Sequence, residues 1–175
     1  GWFPLAAGAY DYTVTGGFKF LLCPRGTSFL TVTEEAQDTL PPLFAGWVSA
    51  GAPWASNYGP LERLAPTARG FDEPPAFLSY HGAEHSLDLL AEVGPDALYA
   101  HATGLASRLR AGLTGLGREV VPGESAIVSV PGLQGRRDDL MKAGIAVSAP
   151  AGNLRISCHL YNTEADVDRV LEFLA

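Results

Sequence analysis

The sequence of 175 residues predicts an α/β fold. Two stretches rich in strand-forming residues, 10–15 and 27–32, flank a loop near the start of the chain. Apolar residues at helical spacing follow in the middle of the chain, between residues 84 and 117. The last third alternates short strand and helix patterns, which predicts a compact α+β lobe.

The first half of the chain is built around a strand, a loop and a second strand. Gly16 and Gly17 end the first strand, and Pro-Arg-Gly at 24–26 is a turn signal before the second. Lys19 therefore lies at the tip of the loop. Residues 41–82 are rich in Gly, Pro and aromatic residues, which predicts a long, packed loop that covers a partner subunit.

Two helical patterns follow this loop. The first begins at Glu84 and stops near Gly94, and the second has Asp96 as its predicted N-cap and runs to Gly117. The leucines of the second helix predict a core face: Leu98, Leu105, Leu109, Leu113 and Leu116.

The remaining elements are predicted from period and capping signals. They are a strand at 126–130, a helix at 137–143, a strand at 145–147, a strand at 154–160 and a final helix. In the strand at 154–160, Arg155, Ser157 and His159 share the face opposite the apolar one. Thr163 and Asp166 resemble a capping box, which predicts where the final helix begins.

Composition and charge exclude several classes of partner. The net charge is −7 and the pI is near 5.0, with no basic run longer than Arg136-Arg137, so we expect no nucleic-acid partner. No apolar stretch reaches the roughly 18 residues that a membrane span needs, so we expect no membrane partner. Cys23 and Cys158 are too few for a disulfide scaffold, so we expect a reduced, cytoplasmic protein.

Lys19 is the first candidate for chemistry, because it lies between Phe18 and Phe20. An apolar setting disfavours the charged form of a lysine, so its amine becomes a usable nucleophile. Schiff-base chemistry with an aldehyde cofactor requires such an amine. The alternative is a surface lysine at a hairpin tip, which local sequence alone favours. Lys142, the other lysine, suits the C-terminal end of a short helix.

Arg155 is the second candidate. An arginine on the polar face of an otherwise apolar strand can bind a carboxylate through two parallel hydrogen bonds. The alternative is that this face of the strand is simply open to water.

His81 and His85 form a weaker candidate site. They are four residues apart, so on a helix they would share a face that can bind a metal. The glutamate spacing of a zinc-protease motif is absent, and Gly82 weakens a helix start. A solvated helix N-terminus is the favoured interpretation, and we expect no metal.

Together these segments resemble the class V aminotransferase family of pyridoxal-phosphate (PLP) enzymes. The segment 11–32, DYTVTGGFKFLLCPRGTSFLTV, is similar to that family's cofactor-lysine segment. The segment 154–168, LRISCHLYNTEADVD, is similar to its C-terminal signature, with R-x-S on a strand and Y-N-T before an acidic helix start. The helices at 84–117 match those that join the large and small domains of the family.

This resemblance implies a role for each candidate. Lys19 would be catalytic, holding PLP as a Schiff base and shuttling protons at the substrate α-carbon. Thr15 would contribute to cofactor binding, one position away from a phosphate-binding serine of relatives. Arg155 would bind the carboxylate of a small amino-acid substrate. The family consists of fold-type-I dimers with active sites at the subunit interface, so the resemblance implies a homodimer.

The resemblance also implies a domain organisation. Residues 1–93 would be the end of the large PLP-binding domain, and residues 94–175 the small C-terminal α+β domain. The family's cofactor-ring ligands precede the lysine segment, so we expect this chain to be the C-terminal part of a longer protein and inactive alone. Met141 is the only methionine, so we expect Gly1 not to be the translation start.

The type of reaction stays open among aminotransfer, epimerisation and β-elimination. Cysteine desulfuration is disfavoured, because that branch needs a loop cysteine ahead of the arginine strand and residues 148–153 contain none. The alternative function is that of a degenerate, non-catalytic member serving as a binding or dimerisation module. Phe18, Gly16 and Pro74-Pro75 favour it, because relatives commonly carry His or Tyr, Ser, and Gly-Thr there.

Overall fold

The computed structural model describes residues 8–175. Residues 1–7, which open the first predicted domain, lie outside the described residues. Within the described part, contacts divide the chain into two compact units, the first ending at Leu89 and the second comprising Leu90–Ala175. Helix α1, Phe77–Val93, runs across this division. The predicted domain boundary after residue 93 stays a prediction.

The first unit begins with an antiparallel pair of strands. Strand β1, Tyr12–Gly16, pairs with β2, Ser28–Val32, in a register that places Tyr12 opposite Val32 and Gly16 opposite Ser28. This confirms the predicted strand, loop and strand. Lys19 lies in the connecting loop, which spans residues 17–27.

The segment 33–76 is irregular apart from short 3₁₀ turns and one isolated antiparallel bridge between Ala50 and Leu64, as its Gly and Pro content predicts. Arg69 organises part of it, because its Nη1 donates to the carbonyls of Val48 at 2.7 Å and Ala50 at 2.8 Å. Trp47 packs on Trp54 with ring centroids 5.3 Å apart. The long loop is therefore ordered around a half-buried guanidinium contact and an aromatic pair.

The prediction that the first helix begins at Glu84 is wrong, because α1 begins two turns earlier at Phe77. Pro74 and Pro75 end the preceding loop, and the first turns of α1 contact the lysine segment. These contacts outweigh the weak local helix signal around Gly82.

The second unit contains the remaining elements. In chain order they are α2, Pro95–Gly115; β3, Ile127–Pro131; α3, Arg137–Lys142; β4, Asn153–Ser157; and α4, Glu164–Leu174. Strands β3 and β4 are antiparallel, with Ser129 opposite Arg155. The buried core of this unit is contributed by α2, the two strands, α3 and α4, and includes Leu109, Leu113, Val128, Val130, Leu140, Leu154 and Leu174.

Two details of α2 differ from expectation. Asp96 is not the N-cap: Gly94 is, Pro95 opens the helix and Asp96 lies in its first turn. Leu116 is 37% exposed instead of buried, because the helix ends at Gly115 and Leu116 is already its C-cap. The other four predicted core leucines of α2 are buried.

The predicted strand at 145–147 is wrong. Only an isolated bridge forms next to it, in which Arg155 N donates to Ser148 O at 2.7 Å and Ser148 N donates to Arg155 O at 3.2 Å. A single bridge supplies too few ladder hydrogen bonds to define a strand.

Helix α4 begins as predicted. Thr163 is the N-cap and its Oγ1 accepts from Asp166 N at 3.3 Å, while Asp166 Oδ2 accepts from Thr163 N at 2.9 Å. Arg108 of α2 and Asp168 of α4 form two parallel hydrogen bonds of 2.9 Å each. These contacts fix the helix that follows the arginine strand.

Candidate active site

The lysine loop is closed by backbone hydrogen bonds across its base. Gly17 N donates to Thr27 O at 3.0 Å, and Cys23 N donates to Gly17 O at 3.0 Å. Gly17 is buried, and a Cβ at this position would stand 2.3 Å from Thr27 Oγ1. The second glycine of the pair is therefore required by the close approach of the two sides of the loop.

Lys19 is exposed in the first part of this loop. Its Nζ lies 5.6 Å from the centroid of the Phe18 ring, and the Arg25 guanidinium lies 5.0 Å from the same centroid. The apolar neighbours that were predicted to disfavour the charged amine do not enclose it in the described part of the chain. Lys19 therefore has the surroundings of the surface lysine that local sequence alone favours, and its role toward an aldehyde cofactor stays a prediction from the resemblance.

A tight turn fixes the backbone of Lys19. Leu22 N donates to Lys19 O at 3.1 Å, which closes a four-residue turn. Leu22 has a φ of 55°, in the left-handed region that disfavours residues with a Cβ. Because such a conformation costs free energy, contacts around Leu22 must hold it.

Helix α1 supplies one contact to Leu22 and two more to the rest of the lysine segment, and sequence reasoning missed all three. Three of its hydroxyls donate to carbonyls of the lysine segment: Ser79 Oγ to Arg25 O at 2.8 Å, Tyr80 Oη to Ser28 O at 2.8 Å, and Ser86 Oγ to Leu22 O at 3.0 Å. The lysine loop is thus attached to a helix more than fifty residues later in the chain.

Gly82 allows this close approach, because a Cβ there would stand 2.8 Å from Pro24 Cγ. A signal for the contact existed in the sequence: Ser79, Gly82 and Ser86 are spaced i, i+3 and i+7, and so form a small, polar stripe on one helix face. The sequence-based prediction considered only the low helix propensity of Gly82, and therefore did not recognise the stripe as a contact surface.

Thr15 is exposed near the end of β1, opposite Phe29. Its neighbour on the same face, Thr13, hydrogen-bonds through its hydroxyl to that of Thr31 on β2. Thr15 is therefore a hydroxyl donor on the strand that leads to Lys19, and its role toward a phosphate stays a prediction.

His81 and His85 both lie within α1, with ring centroids 5.4 Å apart. Both are exposed, and Glu84 Oε2 is 3.6 Å from His81 Nδ1. The expected position at a helix N-terminus is wrong by one turn, because α1 starts at Phe77. Among residues 8–175, no group of three or more His, Cys, Asp or Glu is placed to hold a metal.

Arg155 is exposed on β4, as the strand pattern predicts. Its Nε donates to Ser148 Oγ at 3.1 Å, while its two terminal nitrogens have no hydrogen-bond partner in residues 8–175. The hydroxyl of Ser148 therefore orients the guanidinium and leaves its outer edge available for a carboxylate.

His159 does not share the open face with Arg155 and Ser157, which corrects that prediction. It is buried, because β4 ends at Ser157 and the chain turns: His159 N donates to Asn162 Oδ1 at 2.9 Å. Its ring stacks on Tyr161 with centroids 5.1 Å apart. The residue supports the turn between β4 and α4.

Both cysteines are buried and unpaired in disulfides. Burial raises the pKa of the Cys23 thiol and of the Cys158 thiol. Neither has the exposed, thiolate-favouring surroundings of a reactive cysteine.

A cleft of about 610 Å³ lies in the first unit beside β2 and the start of α1. Arg69, Asp72, Glu73 and Tyr80 contribute its polar groups, and Lys19 is not among its lining residues. The candidate chemistry therefore rests on the loop and strand residues and not on this cleft.

The fold is that of the C-terminal half of fold-type-I PLP-dependent enzymes. This confirms the predicted fold class and the resemblance to class V enzymes. No family model matches the chain. Within residues 8–175, no helix is both long and apolar enough to cross a membrane.

Individual relatives carry this conclusion. Isopenicillin N epimerase of Streptomyces clavuligerus is 28% identical over 195 residues, covering 94% of this chain and 46% of that protein. The apo cysteine desulfurase of Thermococcus onnurineus NA1 is 21% identical with a TM-score of 0.81, over 94% of this chain and 46% of that one. Alanine–glyoxylate aminotransferase of Nostoc sp. is 14% identical with a TM-score of 0.63, over 94% of this chain and 47% of that one. The chain thus spans about half the length of the relatives it matches.

Proposed function

We propose that this chain supplies the cofactor lysine and the carboxylate-binding arginine of a PLP-dependent enzyme that acts on a small amino acid. The observation that carries the proposal is Lys19: an exposed primary amine on a loop whose backbone is held by both the β1–β2 pair and α1. Likeness to an epimerase, a desulfurase and an aminotransferase, all PLP-dependent, supports it.

The residues present fit PLP at its aldehyde end. An exposed lysine amine can condense with the aldehyde, and the exposed Thr15 hydroxyl can donate to the phosphate. When bound, PLP supplies an electron sink for the negative charge that develops at the substrate α-carbon.

Lys19 would have a second task whenever its amine is free. A lysine amine close to the α-carbon can take a proton from it and return one, as a general base and then a general acid. The turn closed by Leu22 keeps the backbone of Lys19 in place while its long side chain moves.

Arg155 binds the substrate carboxylate in this proposal. Its Nε is engaged by Ser148, so the two terminal nitrogens present a planar pair of donors that matches the two oxygens of a carboxylate. A free carboxylate is common to all amino-acid substrates, so Arg155 selects for the class and not for the side chain.

Aminotransfer, epimerisation and β-elimination all fit this set of residues, because each begins with removal of the proton at the α-carbon. Desulfuration requires a reactive cysteine, and both cysteines of this chain are buried with raised pKa values. The burial of Cys158 and Cys23 supports the argument against desulfuration that was drawn from the sequence.

The proposal includes a homodimer. The Gly-, Pro- and aromatic-rich segment 41–82 carries four highly exposed large apolar side chains. Trp54 is 81% exposed and Tyr58 99%, while Leu43 is 85% exposed and Phe44 77%. Large apolar side chains at such exposure are typical of a surface that a second subunit covers. The oligomeric state of the full-length protein checks this part of the proposal.

The experiment compares Lys19→Ala with Lys142→Ala in the full-length protein that contains this chain. Lys142 is an exposed residue of α3 whose Nζ lies 3.6 Å from Asp139, so its removal serves as the matched control. We expect Lys19→Ala to lose the visible absorbance of bound PLP and turnover of amino acids, and Lys142→Ala to retain both. Full activity in Lys19→Ala would refute the proposal. If the unsubstituted full-length protein never takes up PLP at millimolar excess, the result would favour the alternative function as a non-catalytic binding or dimerisation module.

A further inference from the structure

Of the three α1 hydroxyls that bond the lysine segment, that of Ser86 bonds the residue closest in sequence to Lys19. Ser86 Oγ donates to Leu22 O at 3.0 Å, and Leu22 N in turn donates to Lys19 O at 3.1 Å. The hydroxyl and the lysine are therefore joined through the two polar backbone groups of one residue.

Leu22 needs such a contact. At a φ of 55° its Cβ crowds the backbone, and a leucine gains no local side-chain hydrogen bond to offset this, as an asparagine would. If Leu22 relaxed to a right-handed conformation, the turn from Lys19 would open and the amine would change direction.

The hydroxyl of Ser86 has a second acceptor within its own helix. A serine in a helix commonly bonds the carbonyl four residues earlier, and Ser86 Oγ lies 3.3 Å from Gly82 O. The carbonyl of Leu22 is closer, at 3.0 Å. Ser86 is half-buried, so water competes weakly for either bond. The shorter distance favours a hydrogen bond from the Ser86 hydroxyl to Leu22 O over one to Gly82 O.

Ser79 offers a matched comparison on the same helix face. Its Oγ donates to Arg25 O at 2.8 Å, so it also attaches α1 to the lysine segment. Arg25 lies beyond Pro24 and takes no part in the turn that contains Lys19. If the two serines only attach α1 to the loop, removing either hydroxyl should affect the Lys19 turn equally. If Ser86 positions Lys19, removing its hydroxyl should affect that turn more than removing the Ser79 hydroxyl.

We propose that Ser86 is a positioning residue for Lys19, holding Leu22 in its left-handed conformation and so fixing the turn that carries the amine. This rests on the proposed function of Lys19 as the cofactor lysine. Ser86 itself touches neither cofactor nor substrate in this account.

The first measurement needs no cofactor. Hydrogen exchange of the Leu22 amide is compared in the full-length parent, Ser86→Ala, Ser86→Thr and Ser79→Ala. We expect Ser86→Ala to speed exchange by about two- to tenfold, the effect of losing one hydrogen bond, with Ser86→Thr and Ser79→Ala close to the parent. Unchanged exchange in Ser86→Ala, or an equal rise in Ser79→Ala, would overturn the proposal.

The second measurement follows the amine. The proteins are mixed with PLP, quenched with borohydride at intervals, and the labelled Lys19 peptide is quantified by mass spectrometry. We expect Ser86→Ala to label about two- to tenfold more slowly than the parent, and Ser86→Thr to restore the rate. Altered exchange at Leu22 with an unaltered labelling rate would overturn the link to Lys19. A parent that takes no label would refute the proposed function, while the exchange data would still decide whether Ser86 holds the turn.

Discussion

Gly82 of α1 lies against Pro24 of the lysine loop so closely that a Cβ at position 82 would stand 2.8 Å from Pro24 Cγ. A proline ring cannot rotate away as a long side chain can, so the helix or the loop must shift to admit a methyl group. This contact sets the distance between α1 and the segment that carries Lys19.

Gly82→Ala is therefore expected to lower the free energy of unfolding by about 1–3 kcal/mol, the usual cost of overpacking. Gly104→Ala is the control, because position 104 lies within α2 and a Cβ there would meet no neighbouring atom of the described chain within 4 Å. That change should raise stability by up to about 1 kcal/mol through helix propensity. Denaturant unfolding measures both. Equal stabilisation by the two changes would contradict the close contact.

Gly112 of α2 is expected to behave like Gly82 for a different reason. A Cβ at 112 would stand 2.3 Å from Cδ1 of Leu171 on α4. We expect Gly112→Ala to be about 1–3 kcal/mol less stable than Gly104→Ala, because both change a glycine of one helix and only one meets a neighbour. Thermal or denaturant unfolding of the pair decides it. A Gly112→Ala protein as stable as the Gly104→Ala protein would show that Leu171 repacks freely.

Local patterns predicted the parts of the fold that depend on local causes. Strand formers on both sides of Gly16 and Gly17 predicted the β1–β2 pair, and Thr163 with Asp166 predicted the start of α4, because turns and caps act within a few residues. The resemblance then pointed to Lys19 and Arg155.

Long-range contacts account for the misses. The first turns of α1 are held by Ser79 and Tyr80 against carbonyls more than fifty residues earlier. The small, polar stripe on α1 indicates a close contact on that face, but it does not identify the segment that makes it. Strand alternation predicts His159 on the open face, but the strand ends at Ser157 and the alternation does not extend to position 159. The burial of His159 follows from the side chain of Asn162, which turns the chain away from β4.

The capping box of α4 predicts a loss of stability in acid. The backbone N–H of Thr163 donates to the Asp166 carboxylate, which holds the pKa of Asp166 below its ordinary value. A lowered pKa in the folded state means that the ionised group stabilises the fold above its ordinary pKa, and that this contribution disappears as the pH falls through the folded-state value. Asp168 adds to the same trend, because hydrogen bonds from Arg108 lower its pKa as well.

The measurement is unfolding of the parent and of Asp166→Asn between neutral pH and pH ~2. We expect the variant to be less stable than the parent at neutral pH, and this difference to shrink below pH ~4 as the parent's Asp166 is protonated. A difference that stays constant across this range would show that the charge of Asp166 does not contribute.

Arg155 can be tested by its geometry as well as its charge. Arg155→Lys keeps the charge and loses the planar pair of donors. If Arg155 binds the substrate carboxylate as proposed, the KM for an amino-acid substrate of the full-length protein should rise about tenfold or more. Arg137→Lys on α3 is the control, because Arg137 is an exposed residue that pairs with its sequence neighbour Asp138. Steady-state kinetics on both variants measures the effect. An unchanged KM in Arg155→Lys would remove Arg155 from the substrate site.

The most direct measurement is the identity of the lysine that borohydride fixes to PLP in the full-length protein. Lys19 and Lys142 are the only lysines of this chain, and both are exposed, so accessibility alone would label both. We expect one equivalent of cofactor on the Lys19 peptide and none on the Lys142 peptide. Label on Lys142 alone, on the two lysines equally, or on a lysine outside this chain would contradict it.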